Sequence, residues 1–109
     1  MTATWEEFER LELSVGRVAE VGELTGTRKA FRTLTIDFGN RGLHRSAAQI
    51  THYRPEDLVG RQVVAVLGFE PRRVAGFESE VLVLGAMSHE KGVVLLRPDS
   101  EVEDGTPVA

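Results

Sequence analysis

The chain has 109 residues, of which 41% are hydrophobic, which is enough to build the core of one domain. It contains no cysteine, so disulfide bonds, thiolate metal sites and a thiol nucleophile are excluded. Its formal net charge is −4, and this value taken alone argues against nucleic-acid binding, because RNA-binding domains tend to be basic.

The N-terminal segment is predicted to form a short helix. Thr4 and Glu7 fit a capping box, in which each side chain bonds the other residue's backbone N–H, and Trp5, Phe8 and Leu11 fall on roughly one face. Acidic residues stand where a secretory signal needs basic ones, and no segment approaches the roughly 18 apolar residues of a membrane span. We therefore expect a cytoplasmic protein that does not insert into membranes.

Runs rich in β-branched or alternating apolar residues follow this helix and predict short strands. Turn residues such as Gly39-Asn40-Arg41-Gly42 and Glu70-Pro71 separate them, and residues 57–60 resemble one helical turn stopped by glycine. Short strands without alternating long helices predict an all-β fold, a closed or nearly closed barrel, in a single domain over residues 1–109. The predicted strands cover residues 15–21, 31–38, 44–50, 63–67, 81–84 and 93–96.

Two of these strands, residues 63–67 and 81–84, are apolar without alternation. A strand buried on both faces in so small a domain needs a second cover, which the N-terminal helix, the C-terminal tail or another copy of the chain could supply. The tail over residues 97–109 is acidic, but Val102 and Val108 are spaced as in an extended arm that lies on a surface. Together these features predict a homodimer.

The charges are distributed unevenly along the chain. Between Arg28 and Arg73 there are nine basic and four acidic residues, a net +5, which leaves −9 for the two ends together. Arginine accounts for 11 of the 13 basic residues, and its planar guanidinium can fork onto phosphate and stack on bases. A preference for arginine codons would explain the ratio of arginine to lysine but not the clustering. We therefore expect a bipolar potential with one positive face.

No set of residues typical of catalysis or metal binding is visible. His44, His52 and His89 have no partner at metal-ligand spacing and are interpreted as ordinary surface or strand-end residues. Ser46, His44 and Asp37 contain the residue types of a hydrolase triad but lack the Gly-x-Ser-x-Gly elbow. We expect neither catalysis nor a bound metal or cofactor.

Two predicted elements could present groups to a polyanion. Residues 28–32, Arg-Lys-Ala-Phe-Arg, lie in the loop that enters the second strand, where the charges could hold phosphates. Phe31 could stack on a base, although taken alone it is better explained as a core residue. Arg45, Ala47 and Gln49 fall on one side of the third strand, where small residues between polar ones leave room for a ligand.

A third stretch, residues 69–80, combines charge with a turn. Arg72 and Arg73 precede the small residues of the turn, and a serine–acid pair begins at Ser79. This chemistry is typical of a polyanion-binding loop.

Three segments resemble the CsaA family, a group of tRNA-binding OB-fold domains related to those appended to methionyl- and phenylalanyl-tRNA synthetases. They are Gln49-Ile50-Thr51, the run from Pro71 to Gly85 with its Pro-Arg-Arg-x-x-Gly-x-x-Ser-Glu pattern, and Leu96–Asp99 together with Asp104–Thr106. The resemblance extends over nearly the whole chain from Phe8 onward. It implies a five-stranded OB-fold Greek-key barrel with a short N-terminal helix and a C-terminal extension.

The same resemblance implies a homodimer joined through its N- and C-terminal extensions, tRNA binding, and a chaperone role in protein export with unfolded preproteins as partners. Two positions depart from the family pattern. The usual Asp-Ile-Arg before the first strand is Glu12-Leu13-Ser14, which loses an arginine, and the usual Asn-Phe is Gly68-Phe69. These departures imply a weaker or altered RNA contact.

Two functions remain open from the sequence. The first is a dimeric tRNA-binding module without catalytic activity. The second is a peptide-binding export chaperone for which RNA binding is secondary, and the two can coexist. The residues expected to contact RNA are Arg28, Lys29, Arg32, Arg45, Gln49, Arg72, Arg73 and Ser79. The residues expected to contact peptides in the alternative are Phe31, Phe69 and Phe77.

Overall fold

The computed structural model describes residues 1–26 and 28–109. Helix α1 spans Trp5–Leu11, and its predicted capping box is confirmed: the Glu7 N–H donates to Thr4 Oγ1 at 3.1 Å, and the Thr4 N–H donates to Glu7 Oε1 at 2.8 Å. Glu12 ends the helix in the left-handed conformation, with φ of 51°. Among the described residues, no helix has the length and apolar character needed to cross a membrane.

Short antiparallel strands make up most of the rest of the chain. A four-residue helix, α2, spans Pro55–Leu58, and a 3-10 turn covers Gly39–Arg41. The strands are β1 Leu13–Leu24, β2 Phe31–Asp37, β3 Leu43–Ala48, β4 Gln62–Val66, β5 Arg72–Val74, β6 Phe77–Ser79, β7 Leu82–Val83, β8 Gly85–Ser88 and β9 Gly92–Leu95.

Five of the strands form one curled antiparallel sheet in the order β3-β2-β1-β4-β7. The sheet is closed by hydrogen bonds between its two edges, because the N–H groups of Glu80 and Val81 donate to the Arg45 carbonyl at 2.8 and 3.3 Å. This is the arrangement of an OB-like barrel with a short N-terminal helix. The predicted all-β fold class is confirmed.

The core lies inside this curled sheet. In β2 buried and half-buried residues alternate, so that Leu34 and Ile36 face inward while the threonines between and beside them face outward. Phe38, Ile50 and Leu58 fill the rest of the interior and are fully buried. The outward face of β2 therefore carries polar side chains.

The C-terminal tail lies along its own barrel as an extended arm. Val15 and Val108 donate their N–H groups to Thr106 and Leu13 at 2.8 and 2.9 Å, so the tail continues the sheet beside the start of β1. Gly105 has a φ of +92°, and a Cβ there would overlap the Phe38 carbonyl. The tail can therefore follow this path only with glycine at this position.

The stretch predicted to bind a polyanion folds as a hairpin. Strands β5 and β6 pair from Arg72 opposite Ser79 to Val74 opposite Phe77, and the turn between them is Ala75-Gly76. Both turn residues have positive φ, 48° and 82°, as a two-residue type I′ hairpin requires. Because alanine rarely adopts this conformation, Ala75-Gly76 is not a strong hairpin signal.

Candidate nucleic-acid interface

The β5–β6 hairpin is fixed to strand β3 by hydrogen bonds from both backbone and side chains. Ser79 Oγ accepts the Ala47 N–H at 3.0 Å, and Glu80 Oε1 accepts the Arg45 N–H at 2.9 Å. Together with the barrel-closing bonds to the Arg45 carbonyl, these contacts hold the hairpin against the barrel wall. The Ser79 hydroxyl is thus engaged in positioning the hairpin.

Arg45 lies over an aromatic ring of the same hairpin. Its guanidinium carbon is 4.2 Å from the centroid of the Phe77 ring, within the distance for a cation–π contact. Phe77 is only 9% exposed, whereas Arg45 faces solvent. The aromatic ring therefore supports and orients Arg45, and it presents little surface of its own to a peptide.

Arg72 and Arg73 are both exposed, but they face opposite sides of the hairpin. Arg72 is opposite Ser79 and Arg73 is opposite Glu78, and neighbouring residues of a strand point to opposite faces. Arg72 consequently shares the barrel side with Ser79, while Arg73 faces outward and donates to the Gly76 carbonyl at 3.1 Å. The two arginines are not equivalent.

The remaining predicted polar residues lie near one end of β2 and β3. Arg28 and Lys29 are exposed in the connection between β1 and β2, and Gln49 is exposed directly after β3. Arg32 pairs with Ala48 in the strand register, so the loop that leads into β2 and the residue that follows β3 are at the same end of these strands.

The position of Arg32 differs from the sequence expectation. Its side chain is only 11% exposed and pairs with Glu23 at 2.9 Å. Its other nitrogens donate to the Tyr53 and Thr51 carbonyls at 3.1 and 3.3 Å. Arg32 therefore ties β2 to the segment after β3, and we do not include it in the candidate interface.

The other exposed arginines of the central segment, residues 41 to 73, divide into two groups. Arg41 and Arg54 pair with carboxylates, as Arg32 does. Arg45, Arg72 and Arg73, by contrast, form no salt bridge with any residue in 1–26 or 28–109. We call these three residues the arginine surface.

Glutamates interrupt the arginine surface. Glu78 is opposite Arg73 in the hairpin, and Glu80 accepts the Arg45 amide while its second oxygen lies 3.9 Å from His44 Nδ1. The acidic tail lies elsewhere: Arg17 binds Glu101 at 2.8 Å and thereby lowers the pKa of that carboxyl, and Asp104 is next to Arg17 as well. Local charge on the arginine surface is therefore mixed rather than uniformly positive.

Two grooves adjoin the hairpin. The first, which we call the strand groove, has a volume of about 410 Å³. Its lining residues are Glu20, Val21, Gly22, Thr33, Leu34, Thr35, Arg45 and Phe77. The second, which we call the apolar groove, has a volume of about 290 Å³ and is lined by Ala47, Phe69, Glu70, Arg72, Val74, Leu82 and residues 79–81.

The apolar groove continues into a neighbouring depression of about 320 Å³ that also includes Leu82. Phe31 and Gln49 line this depression, so Phe31 is half-buried between the core and the surface. Phe69 and Leu82 are each 49% exposed, which is a large exposed area for apolar side chains. Two of the three predicted peptide-contacting phenylalanines therefore lie on one connected apolar surface, and Phe77 does not.

His44 and His52 each have a ring nitrogen within hydrogen-bond distance of a backbone carbonyl. The Nε2 atoms of His44 and His52 lie 2.9 Å from the Arg41 and Val93 carbonyls. Within the described part of the chain, no three histidine or carboxylate side chains cluster closely enough to hold a metal ion.

Sequence reasoning missed Glu20, Thr33 and Thr35, which line the strand groove. The alternation of threonine with apolar residues in β2 was a visible signal that one face of this strand is polar. Glu20 had no such signal, because its orientation depends on a register shift in the pairing of β1 with β2, between Val18 and Glu20.

Comparison with known proteins agrees with this fold and places the chain in a family. Residues 13–107 match the family described as "Putative tRNA binding domain". The chain therefore belongs to this family of tRNA-binding domains.

Solved structures confirm the resemblance to CsaA. The chaperone CsaA from Bacillus anthracis str. Ames is 47% identical, with a TM-score of 0.93 and complete coverage of both chains. The CsaA chaperone from Picrophilus torridus is 38% identical, with a TM-score of 0.92 over 99% of this chain and 100% of that one.

Among curated proteins, the methionine–tRNA ligase of Pyrococcus furiosus is 35% identical over 105 residues. The match covers 96% of this chain but only 14% of that enzyme. The chain thus corresponds to a small part of the ligase.

Proposed function

We propose that this protein is a non-catalytic module that binds tRNA, acts as a homodimer in the cytoplasm, and serves as a CsaA-like chaperone in protein export. The family match supports tRNA as the ligand. The observation that carries the proposal is the arginine surface, since three exposed guanidinium groups without carboxylate partners among the described residues lie on or beside the hairpin, Arg45 and Arg72 on its barrel side and Arg73 on its outer side. Arg28, Lys29 and Gln49 extend the binding surface at one end of the strands.

The expected mode of binding is recognition of backbone and shape. Guanidinium groups bind phosphate oxygens in a bidentate fashion, and the fixed hairpin sets the spacing between them. Because glutamates interrupt the surface, we expect only two or three phosphate contacts from each chain. Binding then depends on the fit of a folded RNA as well as on charge.

Competition between tRNA and a perfect RNA duplex tests this proposal. The protein is titrated into labelled tRNA and binding is followed by fluorescence polarisation, with unlabelled tRNA or a duplex of equal length added as competitor. We expect tRNA to compete much more effectively than the duplex. Equal competition by both would show that the protein recognises only a polyanion, and the tRNA proposal would then be wrong.

The homodimer proposal is supported by an apolar face at the N- and C-termini. Trp5 is 81% exposed on α1, and a cavity of about 620 Å³ between the helix and the tail is lined by Trp5, Phe8, Leu13 and Val108 among others. A second copy that packs its own α1 and tail against this face would bury Trp5. The two arginine surfaces would then belong to one larger RNA-binding assembly.

Replacing Trp5 with alanine is expected to shift the protein from dimer to monomer, because Trp5 is the largest exposed apolar side chain on α1. Sedimentation at micromolar concentration measures this change. Met87→Ala is the matched control, since Met87 is 82% exposed on β8 and far from α1 in the chain. A parent protein that sediments only as a 12.0 kDa monomer would contradict the dimer proposal.

The alternative function, peptide binding, is supported by the connected apolar surface at Phe69, Leu82 and Phe31. An extended apolar peptide could bury these exposed side chains. Phe69→Ser should then lower protection of an unfolded client protein from aggregation while leaving tRNA affinity close to that of the parent. Equal protection by parent and variant would argue against this surface as the peptide site.

A further inference from the structure

Three residues on neighbouring strands form a row across the outer face of the barrel. Glu20 pairs with Thr35, and Thr35 pairs with Arg45, so the three Cα positions are in register across β1, β2 and β3. Residues directly opposite each other place their side chains on the same face. A carboxylate and a guanidinium thus flank a hydroxyl, and all three line the strand groove.

A β-bulge in β1 creates this row. The register of β1 against β2 shifts between Val18, opposite Ile36, and Glu20, opposite Thr35. An extra residue in one strand reverses the in–out alternation beyond it. Without the bulge Glu20 would point into the core like Val18, and the bulge instead turns the carboxylate to the outer face.

The guanidinium at the other end of the row is held in a defined orientation. The guanidinium carbon of Arg45 lies 4.2 Å from the centroid of the Phe77 ring, and Arg45 is exposed and lines the strand groove. Both backbone groups of Arg45 are also fixed, because its N–H donates to Glu80 Oε1 and its carbonyl accepts the Glu80 and Val81 N–H groups. Arginine planes oriented in this way stack on nucleobases.

Gly22 and the threonine hydroxyl groups of β2 line the strand groove between Glu20 and Arg45. A Cβ at Gly22 would lie 2.7 Å from Thr33 Oγ1, so the absence of a side chain at Gly22 leaves room for the threonine hydroxyl. The groove volume of about 410 Å³ is within the range of roughly 300–1,000 Å³ that is typical of small-ligand sites. This space can accept one planar group between Glu20 and Arg45.

We propose that the strand groove binds one unpaired guanine of the RNA, stacked on Arg45 and hydrogen-bonded at its edge by Glu20. This inference rests on the proposed tRNA binding and adds the chemical identity of one contact. Phosphate does not suit this groove, because the Glu20 carboxylate would repel it. A carboxylate accepts at both oxygens and donates at neither, so it favours a partner with two adjacent donors.

Guanine offers two adjacent donors on its Watson–Crick edge, the N1–H and the N2 amino group. Adenine and cytosine place an acceptor nitrogen beside their amino group, and uracil places carbonyl oxygens on both sides of its N–H. A carboxylate pairs fully only with guanine and is repelled by the acceptors of the other three bases. Because base pairing occupies this edge in a duplex, the guanine must come from a loop, a bulge or an end.

Short single-stranded RNAs that differ only in one central base test this proposal on the full chain. We expect the RNA with guanine to bind about fivefold or more tightly than the RNAs with adenine, cytosine or uracil. Glu20→Gln should abolish this preference, because the amide keeps the shape but presents a donor in place of one acceptor. Glu90→Gln is the matched control, since Glu90 is an exposed carboxylate in the β8–β9 turn.

Arg45→Lys tests the stacking contact separately. Lysine keeps the positive charge but has no plane, so we expect affinity for the guanine RNA to fall on the order of tenfold with an unchanged salt dependence. Arg45 is exposed, so the variant is expected to fold, and circular dichroism checks this.

Two results would overturn the guanine proposal. If Glu20→Gln strengthens binding of all four RNAs equally, Glu20 acts only by repelling phosphate. If Arg45→Lys leaves affinity unchanged, Arg45 is only a point charge. In either case the proposed tRNA binding still holds if the parent protein binds tRNA and Arg72→Ala weakens that binding, whereas a parent that does not bind tRNA removes both proposals.

Discussion

The Arg72→Ala/Arg73→Ala double variant is expected to bind tRNA about tenfold or more weakly than the parent protein. Both side chains are exposed and form no salt bridge within the described residues, so their charges are available to phosphate. Each lost phosphate contact also removes roughly one released counterion. The slope of log K against log salt should therefore flatten by about one to two units.

The single variants are expected to differ, because Arg72 and Arg73 face opposite sides of the hairpin. Arg72 lies on the side of the barrel and of Ser79, where RNA that reaches Arg45 would also contact it. Arg72→Ala should account for most of the loss. Fluorescence polarisation with labelled tRNA measures all three variants.

A matched control variant distinguishes the contribution of the arginine surface to tRNA affinity from the contribution of the total charge. Arg54→Ala/Arg97→Ala removes two exposed arginines outside the arginine surface and changes the net charge by the same amount. It should bind tRNA nearly as tightly as the parent. If the control and the Arg72/Arg73 variant lose equal affinity, the arginine surface has no special role. Thermal stability should hardly change in either variant, because exposed arginines contribute little to it.

Arg32→Ala is expected to lower the free energy of unfolding by about 2–4 kcal/mol. The side chain is nearly buried, and its removal leaves the Thr51 and Tyr53 carbonyls without their donors. Glu23, its ion-pair partner, has a side chain that is 72% exposed, so Glu23→Ala should be destabilising by less than about 1 kcal/mol. Urea denaturation followed by circular dichroism measures both values.

This result would also decide the role of Arg32 in binding. We expect the folded Arg32→Ala variant to keep the parent's salt dependence for tRNA, because the guanidinium contacts the protein and not solvent. A variant as stable as the parent, with a flattened salt slope, would contradict this assignment. It would return Arg32 to the group of RNA contacts predicted from the sequence.

Local signals in the sequence predicted much of the fold. The capping box at Thr4 and Glu7 depends only on residues within one helical turn, and the alternation in β2 depends only on neighbours along one strand. The interactions that produce these two features involve only residues close together in the sequence. For the same reason the all-β class and the N-terminal helix could be predicted from the residues alone.

The features that build the site depend on contacts between distant segments. The bulge that turns Glu20 outward exists only in the pairing of β1 with β2, and Arg32 is buried because Glu23 and residues 51–53 surround it. The turn at Ala75-Gly76 is held by the docking of the hairpin on β3. The number of arginines in the sequence therefore predicts the charge of the protein, whereas the role of each arginine depends on the tertiary structure.

The salt dependence of tRNA binding by the parent protein shows whether arginine–phosphate contacts hold the RNA. With two or three phosphate contacts from each chain, log K should fall with log salt with a slope of roughly −2 per chain, since each contact contributes about −0.7 to −0.9. We expect a slope of this size for the parent protein and a flatter slope for the Arg72→Ala/Arg73→Ala variant. Binding that does not change with salt, or no binding to tRNA at all, would contradict it.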